Sequence, residues 1–140
     1  MRHAPPELPL LHVLIVDDDD EQRDVLAALL KGLGCRVDIA TDGASGTRLA
    51  TNLEPDVVVM DLAMRGMDGW EAIRAIRTRT AGRRLHVIVL SAFADARSRE
   101  LAFDAGCDEY VVKPADVRGG IRAHVTRLGD RRLASAGEAE

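Results

Sequence analysis

The chain has 140 residues and a mass of 15.2 kDa, the size of one domain with no room for a second folded unit. Its 46% hydrophobic and 30% charged content excludes a disordered body, and a domain of this size buries roughly two thirds of its unfolded surface, enough to fold without disulfides or structural metal. A net charge of −4 argues against a nucleic-acid partner held by bulk electrostatics, and no uninterrupted apolar run approaches the ~18 residues of a membrane span, so membrane insertion is not expected.

Residues 1–9 (MRHAPPELP) place prolines where a signal peptide needs an apolar stretch and read as a flexible leader. The folded body is expected over residues 10–129. It opens with a strand, Leu11 to Val16 (LHVLIV), followed by a helix whose apolar positions Val25, Leu26, Leu29, Leu30 and Leu33 share one face and which Gly32 and Gly34 close. Next, Cys35 to Ala40 (CRVDIA) alternates apolar and polar as a half-exposed edge strand does. Asp42-Gly43 opens a helix over Ala44 to Leu53, and Val57 to Met60 (VVVM) is a strand apolar on both faces. Asp68-Gly69 then opens a helix through Ile73 and Ile76, with Trp70 in a packing role. His86 to Leu90 (HVIVL) is the fourth strand; Leu101, Ala102 and Ala105 mark a helix that Gly106 ends, and Glu109 to Val112 (EYVV) is the fifth strand. The last helix runs through Val117, Ile121, Val125 and Leu128. Gly119-Gly120 inside it costs up to ~1 kcal/mol each relative to alanine, so this helix is expected to be loosely held. Residues 130–140, ending in ASAGEAE, read as a flexible tail. Cys35 and Cys107, far apart and without a C-x-x-C, read as buried free thiols in a reducing, cytoplasmic setting. Arg74, Arg77, Arg79, Arg83 and Arg84 read as a solvated basic face, with a docking role as the alternative.

Strands that alternate with helices call for right-handed crossovers and a parallel sheet covered on both faces. The expected fold class is therefore α/β, a doubly wound five-stranded parallel sheet with 2-1-3-4-5 as the economical strand order. In such a sheet the binding crevice lies beyond the carboxyl ends of the strands, so the residue after each apolar run matters. The first run ends in Asp17-Asp18-Asp19-Asp20, the third in Asp61, the fourth in Ser91 and the fifth in Lys113-Pro114. Each has an ordinary structural role open to it, since aspartates cap helices, serines stabilise turns and lysines sit on surfaces. Four aspartates exceed what one cap needs, however, and Lys113 is one of two lysines against seventeen arginines, placed between a buried strand and a proline. The ordinary explanations would all have to hold at once, at one edge of one sheet.

Carboxylates within a few ångströms of each other repel and raise one another's pKa unless a cation neutralises them. Carboxylate oxygens with positions left for water and phosphate suit Mg²⁺. Beside such an ion, Asp61 fits the role of a nucleophile that forms an aspartyl phosphate. Lys113 fits electrostatic stabilisation of the phosphoryl oxygens, and Ser91 fits a hydrogen bond to them. His3, His12, His86 and His124 are scattered without metal spacing.

The segments VLIVDDDDEQR, VVVMDLAMRGMDG, VIVLSA and YVVKP together closely resemble the receiver domain of bacterial two-component response regulators, from about His12 to Leu128. The resemblance implies the flavodoxin-like form of the doubly wound sheet. It implies Asp61 as phosphoacceptor, Asp17 and Asp18 as the acidic pair, and Asp18, Asp61 and the backbone carbonyl of Ala63 as Mg²⁺ ligands, with Asp17 acting largely through water and Mn²⁺ as a substitute. Lys113 would contact the phosphoryl group, ahead of a cis Pro114; Ser91 would swing toward that group, and Tyr110 would follow as an aromatic switch. The implied donor is a phosphohistidine on a sensor histidine kinase or a histidine phosphotransfer protein, and the implied output is binding to a downstream protein target. The expectation is a stand-alone receiver, a monomer or weak homodimer, that is no enzyme beyond its own phosphorylation and dephosphorylation. Two positions depart from the family pattern: Arg65 stands where a proline is frequent, and Ala115 where a bulky apolar residue is common. The alternative is a receiver-like protein-binding module that works without phosphorylation. A phosphatase or phosphomutase of the D-x-D type is disfavoured by Ala63 two residues after Asp61, and a flavin module by four aspartates where a phosphate cradle is wanted.

Overall fold

The computed structural model describes residues 11–62, 69–81, 83–113 and 117–139. Strands and helices alternate as β1 (His12–Val16), α1 (Asp20–Gly32), β2 (Arg36–Ala40), α2 (Gly43–Leu53), β3 (Val57–Asp61), α3 (Gly69–Arg79), β4 (His86–Ser91), α4 (Ala96–Ala105), β5 (Glu109–Val112) and α5 (Val117–Ala139). All strand pairs are parallel, and the order across the sheet is β2-β1-β3-β4-β5, the expected topology. β3 and β4 each run one residue past their apolar pattern, to Asp61 and Ser91. The ladder is made by the backbone and accepts a polar side chain at a strand's end.

Successive side chains of a strand point to opposite faces, and here both faces are apolar. Leu14 and Val16, Val58 and Met60, and Val87 and Val89 pack with Ala50 of α2, Ile73 of α3 and Ala102 of α4. Their alternate neighbours, Val13 and Ile15, Val57 and Val59, and Ile88 and Leu90, pack with Leu26 and Leu30 of α1 and with Ile121 and Val125 of α5. This two-sided burial is why VVVM shows no alternation, each residue serving one core or the other at ~1.5–3 kcal/mol per buried side chain. β2 lies at the sheet's edge, and its Ile39 is exposed. Cys35 and Cys107 are buried in opposite cores and form no disulfide.

Aspartates open three helices: Asp19, Asp42 and Asp95 accept backbone N–H groups of the first turns of α1, α2 and α4. α4 ends at Gly106, whose φ of 118° is left-handed and strained for any side chain. α5 carries Gly119 and Gly120 in its first turn without a break and continues to Ala139, so helix occupies residues 130–139, which the sequence pattern marked as a tail. Arginine, leucine and alanine there favour helix, and Arg132 Nη1 reaches Asp56 Oδ2 at 2.5 Å. The basic stretch in and after α3 also differs from a purely solvated face. Arg77 donates to the carbonyls of Gly106 (2.8 Å) and Leu85 (2.6 Å) and to Asp108 (2.6 Å), while Arg83 donates to the carbonyls of Ala50 and Thr51. Histidines scattered in sequence meet in space, His86 Nε2 and His124 Nδ1 each lying 3.5 Å from the Glu109 carboxylate. Among the described residues no helix is long and apolar enough to cross a membrane.

Two glycines of opposite surroundings test this packing. A Cβ on Gly46 would lie 2.7 Å from Val16 Cγ1, because α2 crosses close over β1, whereas one on Gly119 would meet nothing within 4 Å. Gly119→Ala is expected to raise the melting temperature by roughly 2–5 °C, from up to ~1 kcal/mol of helix propensity. Gly46→Ala is expected to lower it through overpacking that costs ~1–3 kcal/mol. Thermal denaturation of the two variants checks the opposite signs.

Candidate functional site

The carboxyl ends of β1, β3, β4 and β5 bring Asp17, Asp61, Ser91 and Lys113 to one edge. Backbone hydrogen bonds fix their origins: Asp17 N–H donates to Ala40 O (3.1 Å), Leu62 N–H to Leu90 O (3.1 Å) and Lys113 N–H to Ser91 O (2.7 Å). The sheet, rather than loop geometry, therefore aims these side chains. Asp17, Asp61 and Ser91 are only 1%, 4% and 1% exposed. Lys113 starts two strands away from Asp61 and spans β4 with its long side chain, placing Nζ 3.0 Å from Asp61 Oδ2.

The aspartate run divides its labour. Asp19 is the helix cap, its Oδ1 accepting N–H groups from Glu21 (3.0 Å) and Gln22 (3.3 Å). Asp20 pairs with Arg23, and Asp18 is exposed beside the site. Asp17 points inward: its Oδ1 accepts Asp19 N–H at 2.9 Å, and its Oδ2 accepts the side-chain amide of Gln22. The same Gln22 Nε2 lies 3.1 Å from Asp61 Oδ2, so one amide bridges both buried carboxylates. Arg23 Nη1 donates to Asp17 O at 3.0 Å and holds the strand end against α1.

Burial pushes the Asp17 carboxyl up to about 6; the Asp61 charge adds to the rise, while the Asp19 N–H, Gln22 and Lys113 oppose it. Such a pair calls for positive charge, and Lys113 supplies one unit of it. The donor set, two buried carboxylates converging on a single nitrogen, offers hard oxygens at one point and fits a divalent cation. Among the described residues no three His, Cys, Asp or Glu side chains group closely enough to enclose a metal. A cation held here would draw further ligands from water or phosphate oxygens, as Mg²⁺ does.

Ser91 Oγ accepts Phe93 N–H at 3.0 Å. Tyr110, buried under α4, donates its hydroxyl to Phe93 O at 2.7 Å, with the Arg99 guanidinium 5.4 Å over its ring. Ser91 and Tyr110 are thus tied to the two ends of one residue whose own ring is exposed. Ala63 and Pro114, and the departures at Arg65 and Ala115, lie outside the described residues. Sequence reasoning missed Gln22, Arg23 and Phe93. The signal for Gln22 was an amide in a first turn otherwise wholly acidic, five residues after a strand-end aspartate.

A doubly wound parallel sheet with paired aspartates and a lysine at its carboxyl edge defines a class of signalling domain. The family model for the response regulator receiver domain matches residues 13–124, and the chain belongs to that family. It is 41% identical over 123 residues to the transcriptional regulatory protein PrrA of Mycobacterium leprae, covering 84% of this chain and 51% of that protein. The chain spans about half the length of the curated transcriptional regulators it matches. Among solved structures, it is similar to the receiver domain of the sensor histidine kinase PA1611 of Pseudomonas aeruginosa, which holds magnesium in its active-site cleft (TM-score 0.73, 33% identity, 89% of this chain and 98% of that one). It is also similar to the response regulator domain of Thermotoga maritima CheB (TM-score 0.76, 25% identity, 86% and 96% covered).

The raised Asp17 carboxyl has a pH signature. The folded protein holds a proton there between the ordinary value of 3.8 and about 6, a range in which the unfolded chain has lost it. Metal-free stability therefore falls as pH rises through that window, and the penalty is complete above it. Asp17→Asn is expected to stabilise the EDTA-treated protein by roughly 1–3 kcal/mol near neutral pH, with no gain below about pH 4. Thermal melts across the pH range check it.

Proposed function

We propose that the chain is a phosphoacceptor in two-component signalling, taking a phosphoryl group onto Asp61 from a phosphohistidine of a sensor histidine kinase or histidine phosphotransfer protein. The observation that carries this reading is the 3.0 Å contact between Lys113 Nζ and Asp61 Oδ2 in a site also holding the buried Asp17. A carboxylate oxygen of Asp61 attacks phosphorus, the O–P bond forms, and the P–N bond to the imidazole breaks. Lys113 moves from the Asp61 carboxylate to the oxygens of the arriving phosphoryl group, where its charge is worth most as the site excludes water. Ser91 exchanges the Phe93 N–H for a phosphoryl oxygen, which frees Phe93 and, through it, Tyr110. Mg²⁺, for which Mn²⁺ would substitute, would be held by Asp61 and Asp18 with Asp17 acting largely through water, and would supply charge neutralisation of carboxylates and phosphoryl oxygens. The domain promotes only its own phosphorylation and dephosphorylation, and its output is altered binding to a downstream protein. Phosphorylation shifts that binding only as far as the partner prefers one of the two arrangements.

Intact-mass analysis after incubation with Mg²⁺ and a small-molecule phosphodonor tests the reading. The expected result is one phosphoryl adduct that is absent in EDTA and in Asp61→Asn. Lys113→Met is expected to form it about a hundredfold more slowly. No adduct, together with no binding of a stable phosphoryl analogue, would leave a module that works without phosphorylation.

A further inference from the structure

Gln22 occupies a place that neither capping nor packing demands. Its backbone N–H is fixed by the Asp19 cap at 3.3 Å, so its side chain leaves the first turn of α1 from a set point. Both hydrogens of its amide are committed, one to Asp17 Oδ2 and one to Asp61 Oδ2 at 3.1 Å. Those oxygens are the ones a divalent cation would seek. Asp61 Oδ2 already accepts Lys113, and Asp17 Oδ1 already accepts Asp19 N–H, so the amide adds a hydrogen bond to each carboxylate beside the one positive charge that Lys113 brings. A carboxylate oxygen offers about two lone pairs, and an amide hydrogen and a metal ion compete for them.

We infer that Gln22 is an internal competitor for the cation: its amide braces Asp17 and Asp61 in the metal-free protein and must withdraw before Mg²⁺ reaches them. The inference rests on the phosphoacceptor reading of the same site, and it makes Gln22 a positioning residue that sets the Mg²⁺ concentration at which the site becomes competent. The structure provides room for the withdrawal. Gln22 borders a groove of ≈ 460 Å³ between α1 and α5, lined also by Val25, Leu26, Val117 and Arg118. The stem packs on Val25 and Val117 in the withdrawn position while the amide reaches water. Affinity for the ion is then lowered by the fraction of molecules whose site is braced.

The test is calorimetric titration of MgCl₂ into the EDTA-stripped chain and into Gln22→Met and Gln22→Ala, with melting temperatures measured in EDTA and in saturating Mg²⁺. Methionine keeps the length and loses both donors. Loss of two hydrogen bonds to charged acceptors predicts at least about a hundredfold tighter Mg²⁺ binding in both variants, a lower melting temperature without metal, and no difference in saturating Mg²⁺. Binding detectable only in the variants would be the same effect in a stronger form. Unchanged or weaker binding overturns the inference while leaving the phosphoacceptor reading intact. Tighter binding with no loss of metal-free stability also overturns it, because the gain would then lie in the bound state. No Mg²⁺ binding by the parent or either folded variant would overturn the reading of the site itself, and the inference with it.

Discussion

Burying two like charges side by side is costly, and the carboxyl edge of this sheet is organised around that cost. β1 and β3 are neighbours in parallel register, so the residues that end them, Asp17 and Asp61, emerge together. Neither can reach bulk water, at 1% and 4% exposure, and desolvation raises the energy of each charge while their mutual repulsion adds to it. Lys113, Gln22 and the Asp19 N–H each answer part of that demand. Under the phosphoacceptor reading, that demand for positive charge is the physical basis on which this edge would bind a cation and handle a phosphoryl group.

The opposite edge shows what aspartates do when the demand is only structural. Asp56 Oδ2 accepts the N–H of His12 at 2.8 Å and pairs with Arg132. Asp108 Oδ2 accepts the N–H of Val87 at 2.8 Å and pairs with Arg77. These carboxylates satisfy strand amides that the ladder leaves open and have cations of their own. They stabilise the fold through contacts with its own backbone and arginines. Asp56 and Asp108 each face an arginine of their own, whereas Asp17 and Asp61 share one amide beside one lysine, and that difference separates scaffold from site.

Between site and surface lies a short mechanical link. Ser91 holds the N–H of Phe93 and Tyr110 holds its carbonyl, so a hydroxyl beside Asp61 and a buried aromatic on β5 meet at one residue with an exposed ring. Under the phosphoacceptor reading, a small displacement of Ser91 releases one end of that residue, and the packed core converts it into a discrete choice for Tyr110 rather than a graded drift. Arg99 over the Tyr110 ring adds a cation–π contact that favours the inward position.

Much of this was legible in the chain. Period and punctuation located all five strands and five helices, because apolar runs, aspartate caps and glycine stops act locally. The candidate residues at the strand ends followed from a rule of parallel sheets that needs only their order. Several matters needed tertiary structure. Which of Asp17 to Asp20 is the cap and which the buried charge is invisible in a run of identical residues; it is decided by Asp17 continuing the ladder to Ala40 while Asp19 turns to meet α1. That Gln22 reaches two carboxylates, that His86 and His124 share Glu109, and that Arg77 staples β5 to α3 depend on contacts between segments far apart in sequence. Local pattern determines elements because backbone preferences and side-chain period are short-range. Charge neutralisation is set by distance in space, so only the folded sheet could decide how this protein's buried carboxylates are balanced.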